Sequence, residues 1–278
     1  MPEGRGIRTV KRVVACGQKC ILVDSIQGSR MLIPRKVPRD DYLHPFGMIF
    51  YGCWEPDETS FARGAISKGM HVIDVGAMFG YYTLLFSRLV GEDGCVYSIE
   101  PNKRMIDLVK ESASINRMRN IYWFNYAVGE KEWAKIPFNH HECIITNKDR
   151  NPMVTLTTLD SIIPQGSAGK IGFVKIDTDG YDVNVLCGMR EILRFNPAVI
   201  IMMEYMPELW RKVGMSFHDF MEFIKDQDLS CKVIGSRGTL LDPPDGFFNY
   251  HTTLEDEEKT ASEVLATGEY KTLVLMRR

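Results

Sequence analysis

The stretch Asp74-Val75-Gly76-Ala77-Met78-Phe79-Gly80-Tyr81-Tyr82 decides the fold. Before it, Met70 to Val75 is a short apolar run of strand type. After it, Tyr82, Leu85, Phe86 and Leu89 recur at the i, i+3, i+4, i+7 spacing of a helix face. A glycine-rich turn from strand to helix brings backbone N–H groups and a helix N-terminus close to an anionic group on a ligand. A nucleotide-derived cofactor is the natural occupant. A dinucleotide fits poorly, because Met78 stands where a G-x-G-x-x-G loop keeps its middle glycine and Asp74 would repel a pyrophosphate. A carboxylate at that strand end can instead hold a cationic amino group, such as the one in the amino-acid portion of S-adenosylmethionine.

Outward from this loop, apolar β-rich runs alternate with segments of helical period, the pattern of a parallel sheet covered by helices. Seven strands are expected, over Met70 to Val75, Cys95 to Ile99, Ile121 to Asn125, Phe173 to Ile176, Ala198 to Met203, Cys231 to Ile234 and Tyr270 to Met276. Helical stripes start at Met105, Leu108 and Val109, run through Phe217, Phe220, Met221 and Ile224, and run from Val183 through Leu186 and Met189 toward Asn196-Pro197. The second strand ends at Glu100, where an acid can accept both hydroxyls of a ribose, and Pro101 can lie against adenine. The third ends at Asn125-Tyr126-Ala127, an amide at the same rim that can pair with the adenine edge.

The first 67 residues lack this repeat and are expected to form a β-rich cap, with residues 68–278 as the cofactor-binding domain. The stretch Lys131 to Thr158 reads as an insertion with strand-like ends. Hydrophobic residues at 45% and charged residues at 25% of 278 exclude disorder and coiled-coil rods. The longest apolar run, Pro197 to Met203, is far short of the ~20 residues that cross a bilayer. Met1 to Lys11 has no apolar core of a signal peptide, so a cytoplasmic location without membrane partners is expected. Seven scattered cysteines, only Cys16 and Cys20 being close, argue against a disulfide framework or a zinc site. Residues 1–39 carry nine Lys/Arg against Glu3 and Asp24, so that segment stands at +7 and the remainder at −9. The basic segment lacks interleaved aromatics and reads as a solvated face rather than a nucleic-acid platform. No feature of the sequence specifies an oligomeric state.

Together these residues resemble the FkbM family of class I S-adenosylmethionine-dependent methyltransferases. The resemblance rests on Gly52-Cys53-Trp54-Glu55-Pro56-Asp57-Glu58-Thr59, Asp74-Val75-Gly76-Ala77 with Gly80-Tyr81-Tyr82, Ser98-Ile99-Glu100-Pro101-Asn102 and Asn125-Tyr126-Ala127-Val128-Gly129. It continues through Thr157-Thr158-Leu159-Asp160, Lys175-Ile176-Asp177-Thr178-Asp179-Gly180 and Val185-Leu186-Cys187-Gly188. It implies an α/β, Rossmann-like seven-stranded sheet with helices on both faces. It also implies methyl transfer to a hydroxyl of a small metabolite such as a sugar or macrolide. The expected cofactor-binding residues are Glu55, Asp74, Gly76, Ala77, Phe79, Gly80, Tyr81, Tyr82, Glu100, Pro101, Asn125, Ala127 and Asp177, with Glu55 folding over the cofactor. Two departures stand out: the family usually has Asn at Met78, and Glu at Asp179 and Asp182.

A hydroxyl acceptor needs positioning beside the methyl donor and removal of its proton. Asp177, at the carboxyl end of the fourth strand, is expected to orient the substrate or act as general base, with Lys175 and Glu204 supporting it. The acids Asp177, Asp179, Asp182 and Glu204 also suit Mg²⁺, but an acid at Asp179-Gly180 is explained as a helix cap, and no metal is expected. His140, His141, His218 and His251 have no identifiable partner and read as surface residues. The rival functions are methylation of RNA or of an amine, and a cofactor-binding module without turnover.

Overall fold

The computed structural model describes residues 13–16, 20–24, 28–34, 52–139, 144–145, 152–167, 169–243 and 272–277. His140, His141, His251 and the segment Met1 to Lys11 lie outside them. The chain opens with an antiparallel meander, β1 (Val13–Cys16), β2 (Cys20–Asp24) and β3 (Arg30–Pro34). Three parallel strands follow, β4 (His71–Val75), β5 (Cys95–Ile99) and β6 (Ile121–Phe124). A small sheet comes next, made of β7 (Ala127–Val128), β8 (Ala134–Asn139), β9 (Ile144–Ile145) and β10 (Met153–Thr157). The last group is β11 (Ile171–Ile176), β12 (Ile200–Glu204), β13 (Leu229–Ile234), β14 (Leu240–Leu241) and β15 (Thr272–Arg277).

The main sheet runs β14-β13-β15-β12-β11-β4-β5-β6, with β15 antiparallel to both of its neighbours. Among the described residues it therefore has eight strands rather than the expected seven. The extra one, β14, is a two-residue edge strand folded back on β13 by the turn Ser236–Gly238, and it is too short to leave a period in the sequence. From β4 the chain winds outward through β5 to β6, then returns to the other side of β4 as β11. The gap between β4 and β11 is thus a topological switch point, where ligands bind beyond the carboxyl ends of the strands.

Alternation along each strand divides the core between two faces. Ile73, Val75, Val174, Ile176, Ile201 and Met203 pack on one face with the helices Asp182–Cys187, Arg190–Phe195 and Phe217–Asp226. Val72, Phe173, Met202 and Val274 pack on the other with the helices Pro56–Ala65 and Tyr81–Val90 and with Met31, Leu32 and Ile33 of the meander. By the same alternation Asp74, Lys175, Glu204 and Thr272 belong to this second face. The meander is fastened to a further helix, Lys103–Ile115: Ser112 Oγ accepts from the Leu32 N–H at 3.0 Å, and Asn116, at the end of that helix, exchanges two hydrogen bonds with the Arg30 backbone.

Two local departures have clear causes. Residues 56–65, within the segment expected to be β-rich, form a helix that starts with proline, carries Asp57 and Glu58 in its first turn and buries Thr59, Phe61 and Ala62. The stripe from Val183 to Asn196 is broken into two helices at Gly188, where a Cβ would lie 1.9 Å from the Gly129 carbonyl oxygen. The second helix is then capped from a distance, because Asp160 accepts the N–H groups of Glu191 and Ile192 at 3.0 and 2.9 Å. Removing this cap in Asp160→Ala is expected to cost about 1–2 kcal/mol, measured by denaturant unfolding. Unchanged stability would show that water satisfies these amides equally well.

Candidate active site

The loop after β4 turns sharply over the end of β5. The N–H groups of Gly76 and Ala77 both bond to the Ile99 carbonyl, at 3.0 and 3.1 Å. Gly76 has φ +77, and a Cβ there would sit 1.8 Å from the carbonyl oxygen of Asp177, so this glycine lets the loops after β4 and β11 touch across the switch point. Ala77, Phe79, Tyr81 and Tyr82 are buried, and Gly80 caps the helix Tyr81–Val90 with φ 88. Glu100 is buried beside them and accepts the N–H of Met78 at 2.9 Å and of Asn102 at 2.8 Å. Burial pushes its carboxyl up to about 7 against the pull of these two amides. Asn125 is exposed, and its amide donates to the carbonyls of Glu100 and Pro101 at 2.8 and 2.9 Å, so it braces the rim. Ala127 is buried where β7 leaves that rim to pair with β10.

A second group of residues meets at the ends of β4, β11 and β12. The register sets Lys175 beside Asp74, and by pairing Ile176 with Met203 it brings Asp177 and Glu204 side by side. Lys175 Nζ bonds Asp177 Oδ2 at 2.8 Å and lies 4.8 Å above the Tyr82 ring; its side chain is 4% exposed, against 33% for Asp177. Burial alone would depress this ammonium, but Asp177, Asp74 and Glu55 outweigh it and hold the group above its usual range. Asp74 has no exposed surface; Thr83 Oγ1 donates to its Oδ2, and its Oδ1 has no hydrogen-bond partner. Burial raises the Asp74 carboxyl.

Over these strands sits the start of the helix Pro56–Ala65. Glu55 holds the unusual φ of 44, fixed by the Tyr82 hydroxyl donating to its Oε2 at 2.8 Å. Its carboxyl is pushed up to about 7, first by burial and then by Asp177, against the opposite pull of Lys175. The helix is fastened at the β13–β15 end of the sheet, as Thr272 donates to Glu58 at 3.0 Å and Asp57 accepts the Arg237 N–H at 2.5 Å. The loop after β11 is held by Asp182. Asp182 accepts from Thr178 N–H and Oγ1, Gly180 N–H and Trp210 Nε1, at 3.0 to 3.3 Å. Among the described residues, no group of three or more His, Cys, Asp or Glu is arranged to hold a metal ion.

The structure thus gathers Glu55, Asp74, Tyr82, Lys175, Asp177 and Glu204 into one cluster, and Gly76 to Gly80 with Glu100, Pro101 and Asn125 into an adjoining rim. Sequence reasoning passed over Glu58, Thr83 and Trp210. Only Thr83 had a local signal, at the third position of the helix that opens beside Asp74.

The sequence matches the methyltransferase FkbM domain over residues 74–231, more than half of the chain. The chain belongs to the FkbM methyltransferase family. Its cofactor is S-adenosylmethionine and its activity that of an S-adenosylmethionine-dependent methyltransferase. No curated protein matches the sequence. Among solved structures, an S-adenosylmethionine-dependent methyltransferase from Aquifex aeolicus is 18% identical, with 68% of this chain and 86% of that chain covered and a TM-score of 0.39. Precorrin-6y C5,15-methyltransferase from Geobacter metallireducens is 10% identical, covering 80% and 87%, at 0.43. Ribosomal protein L11 methylase from Lactobacillus delbrueckii is 10% identical, covering 80% and 76%, also at 0.43.

The residues present fit this cofactor. Asp74 Oδ1 is a buried acceptor with no donor, and Glu100 keeps acceptor capacity beyond its two amide bonds. Met78 fits the family pattern less well, because its φ of 47 lies in the left-handed region, where the family's Asn is at ease and Met is strained. Met78→Asn is therefore expected to raise stability by about 0.5–1 kcal/mol in thermal unfolding; a lower melting temperature would show that the Met78 side chain packs more favourably than its backbone suggests. The acids set a pH dependence as well. Glu55 and Glu100 keep protons up to about 7 when folded, against an ordinary 4.5 when unfolded, so over that window the unfolded chain binds fewer protons. Stability of the cofactor-free enzyme should fall as pH rises from about 4.5 through 7, followed by denaturant titration at several pH values. A rise across that window would contradict the burial assigned to these two carboxyls.

Proposed function

We propose that this FkbM enzyme methylates a hydroxyl of a small metabolite of the sugar or macrolide type. The observation that carries this reading is the acidic rim. Glu55, Glu58, Asp177, Asp179 and Glu204 line the strand ends about the buried ammonium of Lys175, a set of carboxyls that offers no positive charge to a phosphate backbone and leaves polar acceptor groups for an uncharged hydroxyl substrate. In this reading the loop Gly76 to Gly80 receives the amino-acid portion of the cofactor, with the free oxygen of Asp74 toward its ammonium. Glu100 takes the ribose hydroxyls, and Pro101, Asn125 and Ala127 flank the adenine. Glu55, at the end of the N-terminal cap, closes over the cofactor. Asp177, held by Lys175, orients the acceptor hydroxyl, with Glu204 beside it.

The cofactor supplies a methyl group on a positively charged sulfur. The protein's part is to hold the acceptor oxygen in line with that carbon and to remove its proton. Asp177→Asn keeps the shape but deprives Lys175 of its paired carboxylate and the acceptor hydroxyl of the charge-assisted hydrogen bond that orients it. It is expected to lower kcat at least tenfold, to roughly a tenth or less, while cofactor affinity measured by calorimetry changes little. Incubation with methyl-labelled cofactor and metabolite extracts identifies the product. Label on nitrogen or in RNA, or an undiminished kcat in the variant, would overturn the reading.

A further inference from the structure

The carboxylates around Lys175 are not equivalent. Asp177 is bonded to Lys175, Glu55 to Tyr82, Glu58 to Thr272, Asp74 to Thr83, and Asp182 to four donors. Glu204 receives no hydrogen bond from any described residue. It is only partly buried, at the carboxyl end of β12, beside Asp177 and directly opposite Thr272 of β15. The groups that face it are almost all of one sign: Asp177, Asp179 and Asp182 from the loop after β11, and Glu55 from the segment before the helix Pro56–Ala65. Lys175, the buried ammonium of the cluster, is already engaged by Asp177. A carboxyl so placed has nothing to stabilise its anion until a cation arrives.

We propose that Glu204 is the proton acceptor of the methyl-transfer step and that its charge is exchanged against that of the cofactor, ionised beside the sulfonium and neutral beside the product. The proposal rests on the hydroxyl-methylation reading above. In the step, the acceptor O–H bond breaks and its proton passes to Glu204. The O–CH₃ bond forms as the S–CH₃ bond breaks, and the electron pair of that bond stays on sulfur. Glu204 begins charged and ends neutral while the sulfur does the same, so the site never carries both an unbalanced anion and an unbalanced cation. The proton leaves Glu204 for solvent when the next sulfonium binds. The environment agrees: burial, then the carboxylates Asp177, Asp182, Glu55 and Asp179, drive the Glu204 carboxyl well above its usual range.

The consequence can be measured without knowing the acceptor. Calorimetric titrations of the full-length protein at pH about 7, in phosphate and in Tris, whose ionisation enthalpies differ, give the number of protons released on binding. S-adenosylmethionine should release about one proton more than S-adenosylhomocysteine, and its affinity relative to the product should grow with pH, up to about tenfold per unit. In Glu204→Gln the difference in proton count should vanish and the preference for the charged ligand should fall about tenfold. In Glu55→Gln the difference should persist, because Glu55 is satisfied by Tyr82 with either ligand. Equal proton counts for the two ligands in the parent protein, or a difference that survives in Glu204→Gln and is lost in Glu55→Gln, would overturn the proposal while leaving hydroxyl methylation standing. Failure of S-adenosylmethionine to bind at all would overturn both. Label found on nitrogen would remove the reaction but not the measured linkage.

Discussion

The site depends on one buried ammonium. Lys175 lies within the sheet, against the face of Tyr82, and carboxylates arrive around it from three adjoining strands and from the helix laid over them. A charge of this kind is tolerated away from water only when partners surround it, and removing the partners leaves it far more costly than it was. That constraint explains the arrangement of the neighbours. Asp74 must face the same side of β4, Asp177 must follow Lys175 by two residues, just past the end of β11, and Glu55 sits there with a φ in the left-handed region. The acids outnumber the ammonium, and the surplus is what makes the pocket hospitable to a ligand carrying positive charge.

Much of this was legible in the sequence, and for a local reason. The strand, glycine loop and helix around residues 74–90 are written in consecutive residues, and so are the alternation that puts Lys175 and Asp177 on one side of a strand and the acid at the end of β5. The strands of the main sheet other than β14 were each found to within about two residues of their ends, because apolar runs bounded by turns mark them. What escaped lies in contacts between distant segments. Nothing near Glu58 announces Thr272, and nothing near Asp160 announces the helix it caps. The break at Gly188 was invisible as well, since the apolar spacing continues across it and only the approach of the Gly129 carbonyl forbids a straight helix.

The departures from the family pattern also take on physical meaning. Met78 and Asp179 both sit with positive φ, at 47 and 53, on the two loops that flank the switch point. A shorter acid tolerates that backbone better than Glu would, whereas Met tolerates it worse than Asn. One replacement therefore relaxes its loop and the other strains it, while the backbone N–H that Met78 offers to Glu100 is preserved either way.

The placement of β15 bears on how the enzyme is made. This strand, the last of the described ones, is threaded between β12 and β13, and its first residue supplies the hydroxyl that grips Glu58. While the chain is being synthesised, β12 and β13 are therefore complete long before the strand that must separate them, and the helix bearing Glu58 waits for a partner more than two hundred residues downstream. The acidic rim is closed only once β15 is in place. A chain lacking β15 would present unpaired edges on β12 and β13 and an open pocket, so the strand is needed for solubility as well as for the site.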